Sequence, residues 1–261
     1  MKYIRIFETH QDYQNYREQA DFLTPNLSLC EDSNEVHFSK YTPPYDPYNG
    51  HEYVDLGLPS GTIWAKCNVG AESETDYGLY FAWGETQGYT AEQVNVDRTF
   101  NAASYALGPY DDSDNVNHGI TKYNNTDGLT TLELSDDAAH VYMGGEWHMP
   151  TVEQINELLD TTYVTPQLVN NYEGSNVNGC LFTSVLNGNT LFIPYSGGCQ
   201  HGIIISVGSG TWLWSSKTVP GNIGYMTAGK CLEGTTQTPP NLARLSGTNR
   251  YDGSKVRGVV G

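Results

Sequence analysis

Beyond residue 50 only two segments of the chain read as helices, and they are adjacent. Ser135 is placed to cap the first, with Asp136 and Asp137 in the opening turn, where the helix dipole favours negative charge. It runs to Met143 and stops at Gly144-Gly145. Thr151 caps the second, Gln154 stands at the capping-box position, and Val152, Ile155, Leu158 and Leu159 form its apolar stripe. The other signals are short strands at 52–56, 62–68, 79–83, 180–186, 190–193, 202–207, 211–215 and 254–260. Asn187-Gly188 is the strongest hairpin turn among them. Residues 84–130 and 216–253 carry little periodicity and read as long loops, which in compact domains usually carry function. This pattern predicts an α+β domain of two helices, small twisted antiparallel sheets and long loops.

Residues 41–50 hold three prolines and a glycine, the composition of an extended, semi-rigid linker between a module at 1–40 and a main domain at 51–261. The module reads strand, helix, strand, strand, so a small α/β unit is expected. An apolar run, Tyr3 to Phe7, precedes a helix near 10–20 capped by Thr9, with Tyr13, Tyr16 and Ala20 on one face. Residues 25–30 and 35–38 bracket a polar turn, as in a hairpin. A unit of this size buries little core alone. It is therefore expected to anchor the chain or to oligomerise, through Phe7, Tyr13, Tyr16, Leu27, Leu29 and Phe38.

Thirteen basic against 30 acidic residues give a formal charge of −17, which disfavours nucleic acid and anionic membranes as partners. No stretch has the length of a membrane-spanning helix, and the N-terminus turns polar too early for a signal peptide, so assembly in the cytoplasm is expected. The five cysteines include no C-x-x-C pair, so they read as small buried residues rather than zinc ligands or a disulfide framework.

No catalytic constellation emerges. The oxygen-rich run 111–117 does not fit an EF-hand, because Val116 takes the glycine position and Lys122 the final glutamate position. Asp136 and Asp137 read as helix capping, and His140 and His148 as structural. Neither a metal nor a cofactor is expected. Trp64, Trp83, Trp147 and Trp214 read as core, and Trp212 as the tryptophan open to solvent. With 19 Tyr and 28 Gly, the loops have the composition of adaptable contact surfaces. The candidate ligand-binding residues are His201, Trp212, Asn222, Tyr225, Gln237 and Asn249.

The run His51-Glu-Tyr-Val-Asp-Leu-Gly-Leu-Pro-Ser-Gly-Thr-Ile-Trp-Ala-Lys-Cys-Asn-Val-Gly-Ala71 resembles the opening of the Fibrobacter succinogenes major paralogous domain family. So, in order, do Asp76 to Thr86, Asp136 to Thr151, Leu191 to Pro194, Trp214 to Ser216 and Tyr251 to Arg257. Two positions depart from the family pattern: His148 stands where it usually has Arg, and Gly258 where it usually has Pro. The resemblance implies a C-type-lectin-like fold with its terminal strands paired. That fold's calcium-dependent sugar triplets are missing from this chain. The formylglycine-generating enzymes share the fold, but nothing around Cys199 or Cys231 matches their site, so the chain is not expected to be an enzyme. Residues 7–38 are similar to segments that open structural proteins of Bacteroides phages, including crAss-like phages. Together the two resemblances imply a bacteriophage virion protein, a head or tail fibre component, that displays its lectin-like domain for attachment to host surface glycans or proteins. Its other partners would be capsid or tail proteins and copies of itself, with a trimer the expected state. The alternatives are a decoration or cement protein without host binding, and a bacterial surface adhesin of the same family.

Overall fold

A computed structural model describes residues 4–7, 27–30, 35–38, 46–109, 111, 113–218, 229–235 and 244–261. The chain divides into two compact units, Met1–Asp46 and Pro47–Gly261.

In the smaller unit β1 (Ile4–Phe7) runs parallel to β2 (Leu27–Cys30), which pairs antiparallel with β3 (Glu35–Phe38). The backbone register sets Phe7 opposite Cys30, Leu27 opposite Phe38 and Leu29 opposite Val36. A parallel pair needs a crossover connection, and residues 8–26 supply its length. The helix expected near 10–20, with Tyr13 and Tyr16, lies outside the described residues.

The larger unit is α+β, with two α-helices among its described residues and three small sheets. The first sheet joins the unit's two ends: β14 (Val259–Val260) pairs with β5 (Ile63–Ala65), and β5 with β4 (Tyr53–Asp55). The second is an antiparallel meander of β6 (Val164–Val169), β7 (Gly179–Ser184) and β8 (Thr190–Pro194). The third runs in the order β10-β9-β11-β12-β13, from β9 (Ser196–Gln200), β10 (Ile203–Val207), β11 (Gly210–Thr218), β12 (Gly229–Thr235) and β13 (Arg244–Thr248).

The last two strands correct the reading of 216–253 as loop. Residues 229–235 and 244–248 are short and polar, so their strand character comes from pairing across the sheet rather than from local pattern. The reverse holds at 79–83, expected as a strand, where only isolated bridges form, from Tyr80 to Tyr89 and from Phe81 to Ser254. The linker also ends early. Pro47 O accepts Glu146 N, Tyr48 O accepts Trp147 Nε1 at 2.7 Å, and Asn49 Nδ2 donates to Met143 O, so residues 47–50 are part of the larger unit.

Helix α1 (Ala138–Met143) is capped by Asp137 and not by Ser135, which falls in a preceding 3-10 turn. The reason is double duty. Asp137 Oδ1 accepts His140 N at 3.1 Å while Oδ2 accepts Met149 N at 2.7 Å, so one buried carboxylate closes the helix and fixes the chain leading to the next one. Burial raises the Asp137 carboxyl above its usual range, and these backbone donors pull against that shift. Asp136 instead accepts Lys122 Nζ and the Tyr123 hydroxyl. Helix α2 (Val152–Leu159) has the Thr151/Gln154 capping box and buries Ile155 and Leu158.

Trp64, Trp83, Trp147 and Trp214 are fully buried. Trp83, Trp147 and Trp214 share one core cluster, and Trp64 packs with Leu158 and Phe182 in a second. A third cluster, with Tyr80, Phe100, Tyr105, Ile120 and Cys199, lies under the segment 84–130. The final residues bind these regions together through buried basic side chains that donate to backbone carbonyls and an amide oxygen. Arg250 Nη1 donates to Tyr123 O, Lys255 Nζ to Gly78 O, and Arg257 to Asn68 Oδ1 and to the carbonyls of Ala65, Lys66 and Phe192. A Cβ on Gly258 would fall 2.8 Å from Met143 Sδ and 3.1 Å from the Trp147 ring, so a side chain there would require Met143 to shift.

Candidate contact surface

The β9–β10 connection is a tight hairpin turn at His201-Gly202. Both residues take positive φ, 51° and 76°, as the favoured two-residue turn requires. Histidine is among the side chains that enter this region most readily. Gly202 has a second reason to lack a side chain, since a Cβ there would fall 2.7 Å from Asn95 Oδ1. The turn is fixed from below by His201 N, which donates to Phe100 O at 3.0 Å.

This contact brings in the turn at 93–98. Asn95 has φ 62°, its N–H donates to Arg98 O, and Val96 N and Asp97 N both donate to Gln93 O. Beneath it Arg98 Nη2 meets Glu85 Oε1 at 2.6 Å, with both side chains nearly buried, and Arg98 Nη1 donates to Ser104 O. Burial pushes the Glu85 carboxyl up, and Ala106 N and the Arg98 guanidinium offset that push. A buried ion pair with added hydrogen bonds therefore holds up a turn whose outermost residue, Val96, is 79% exposed.

Residues 248–252 form the third side. Asp252 Oδ2 accepts Thr248 Oγ1 at 2.6 Å, Asn249 N at 3.3 Å and, more weakly, Gln200 Nε2 at 3.4 Å. The Tyr251 ring lies 6.2 Å from the His201 ring. Asp252 is buried, and its carboxyl is raised by that burial.

The three turns are thus linked through Asn95 beside Gly202, His201 N on Phe100 O and Gln200 on Asp252, and they carry two exposed apolar residues, Val96 and Ile203, the latter 63% exposed. His201, Asn95, Asp97 and Asn249 add polar groups on the same turns. Exposed apolar side chains on turns that also carry hydrogen-bonding groups suit contact.

Of the six candidate ligand-binding residues, His201 and Asn249 are brought together here, linked through Gln200 and Asp252. Trp212 is not part of the surface. It is half-buried against the core cluster that holds Trp214, and a Cβ on Gly198 would fall 2.3 Å from its ring, so it does not stand open as expected. Asn222, Tyr225 and Gln237 lie outside the described residues. The sequence reading missed Asn95, Val96 and Ile203. The His-Gly pair between apolar strands is a legible turn signal for Ile203, whereas nothing local to 93–98 announces its neighbour.

Several polar residues outside this surface have their partners within the fold. Asp114 accepts the backbone N–H groups of Val116, Asn117 and Gly119. His140 Nδ1 lies 3.1 Å from Trp147 O, and His148 Nδ1 lies 2.9 Å from Met149 O. Glu157 is half-buried and accepts Ser60 N at 2.9 Å. Among the described residues no helix is long and apolar enough to cross a membrane, and no group of three or more His, Cys, Asp or Glu side chains is placed to hold a metal ion. No family model matches the chain, and neither a curated protein nor a solved structure matches it.

Proposed function

We propose that the chain is a binding and display protein, a bacteriophage virion component whose larger unit is C-type-lectin-like and presents the Val96–His201–Ile203 surface to a host glycan or protein. One observation carries this reading: a buried ion pair and a buried carboxylate are spent on holding exposed turns in a fixed arrangement. Fixed turns lower the ordering cost of a contact. The pairing of β14 with β5 at the two ends of the larger unit supports the lectin-like assignment, as does the order of the motifs that resemble the family. Burial pushes the Cys199 thiol up to about 11, which disfavours its thiolate as a nucleophile.

In this reading the smaller unit attaches the chain to capsid or tail proteins and to copies of itself. Repetition on a particle would strengthen weak single contacts. Deleting residues 1–45 is expected to abolish incorporation into particles while the remaining domain stays folded by circular dichroism. Normal incorporation of the truncated chain would rule out the anchoring role. A map of the particle in which residues 93–98 and 200–203 are buried between subunits would favour the cement reading instead.

A further inference from the structure

β10 is an edge of the five-stranded sheet, hydrogen-bonded only to β9. The two-residue turn at His201-Gly202 closes on a bonded pair, Gln200 with Ile203. The next pair, Cys199 with Ile204, is therefore one whose backbone groups point away from each other. Cys199 obeys this: its N–H and C=O both bond Gly253 on the far side, at 2.7 and 2.8 Å. The N–H and C=O of Ile204 thus point outward from the sheet edge, and neither has a partner among the described residues. The Ile204 side chain packs on the third core cluster, which fixes the orientation of the strand. Ile203, Ile205 and Val207 share the opposite face, where Ile203 and Val207 are exposed. Ser206, at φ 62°, bends the strand beyond this point.

Sheet edges are commonly guarded against pairing by a charge or a proline. Among the described edge strands of the larger unit with three or more residues, β4 has Asp55, β6 Pro166, β8 Pro194 and β13 Arg244, whereas β10 has neither. From Gly174 to Ser216 the chain holds no Asp, Glu, Lys or Arg, although it carries −17 overall. Two copies of so acidic a chain repel each other through most of their surface, and along this stretch they meet without opposed carboxylates. A basic partner would instead be drawn to the carboxylates elsewhere. The strand is also its own complement. With a two-fold axis at Ile204, the Ile204 N–H of each copy donates to the Ile204 C=O of the other, and Ile203 lies opposite Ile205, one β-branched residue against another. We propose that β10 pairs antiparallel with β10 of a second copy of this chain, joining two five-stranded sheets edge to edge. Side chains of paired strands stay on the faces of the sheet, so Ile203 is left uncovered, and the pairing does not depend on that residue meeting a host.

The Ile204 amide reports on the pairing. Its hydrogen exchange in the full-length chain is followed over a dilution series, with sedimentation velocity on the same samples. An edge this short buries less than the ~1,200 Å² of stable complexes, so the dimer is expected to be weak and concentration-dependent. Exchange at Ile204 is expected to slow as the sedimenting mass rises, by about tenfold when roughly nine in ten chains are paired, as mass action requires. Ile204→Pro removes the outward donor without removing a ladder bond to β9, and is expected to raise the dissociation constant at least about tenfold. Ile204→Ala loses the same side-chain packing but keeps the N–H, and is expected to retain the concentration-dependent slowing. Should Ile204→Pro fail to fold, the exchange curves of wild type and Ile204→Ala decide the matter by themselves. The proposal is overturned if exchange at Ile204 is the same across the series, whatever the mass does, or if a folded Ile204→Pro associates as wild type does. Slowing that appears only when cell-envelope protein of Bacteroides is added would also overturn it, by giving the edge to a foreign strand.

Discussion

Residues 84–130 and 216–253 look alike as sequence: long, polar, rich in glycine, asparagine and threonine. They fold by different means. The first is irregular along most of its length and is anchored from inside by Phe100, Tyr105 and Ile120, by the Glu85–Arg98 pair, and by Arg250 donating to Tyr123 O. The second contributes β12 and β13 to the five-stranded sheet, so its described backbone is tied by ladder hydrogen bonds. Irregular backbone can be rigid when polar groups are satisfied beneath it, and strands can arise in sequence with little strand pattern when a neighbour offers an edge.

If the two regions are held separately, they should break separately. Glu85→Ala leaves Arg98 buried without its partner, a loss of about 3–5 kcal/mol. Amide exchange should rise across 84–130 while β11 keeps its protection, and equal loss in both regions would show a single cooperative unit. Leu232→Pro acts on the other region. β12 lies between β11 and β13, where proline removes a ladder bond and leaves its acceptor unpaired, so a cost of about 1–3 kcal/mol is expected, with β11–β13 losing protection first. Tolerance of this proline would return 229–235 to the status of a loop.

The segment that joins the regions has its own signature. Burial pushes the Lys255 ammonium down to about 6, from an ordinary value of 10.5, with Nζ donating to Gly78 O and facing the Tyr80 ring. Between those two pH values the unfolded chain holds a proton that the folded chain lacks, so stability should climb as pH rises through the window and level off below about 6. Lys255→Met should flatten that part of the denaturation profile, and an unchanged slope would assign it to another group.

The helices were legible because their signals are local. The Thr151 and Gln154 capping box stands where the sequence placed it, and α1 ends at Gly144 as read. Its start was displaced by two residues because Asp137 also reaches Met149, a contact that no local pattern encodes. The four framework tryptophans were legible as core, while Trp212 was misjudged because Gly198 opens a slot for its ring from a neighbouring strand. The contact surface was half legible. His201 and Asn249 were identifiable as loop residues, but Val96 joins them only through Asn95 packing against Gly202, more than 100 positions further along the chain.

The central claim is that fixed turns around Val96, His201 and Ile203 form the surface that meets the host. Both apolar residues are exposed, so replacing them with serine should change stability by less than about 0.5 kcal/mol. The direct measurement is binding of the full-length protein to a panel of Bacteroides strains, comparing wild type with Val96→Ser/Ile203→Ser at equal melting temperature. Loss of most cell binding in the double variant is the expected result. Undiminished binding to the same strains would place the host contact elsewhere on the molecule and contradict the account.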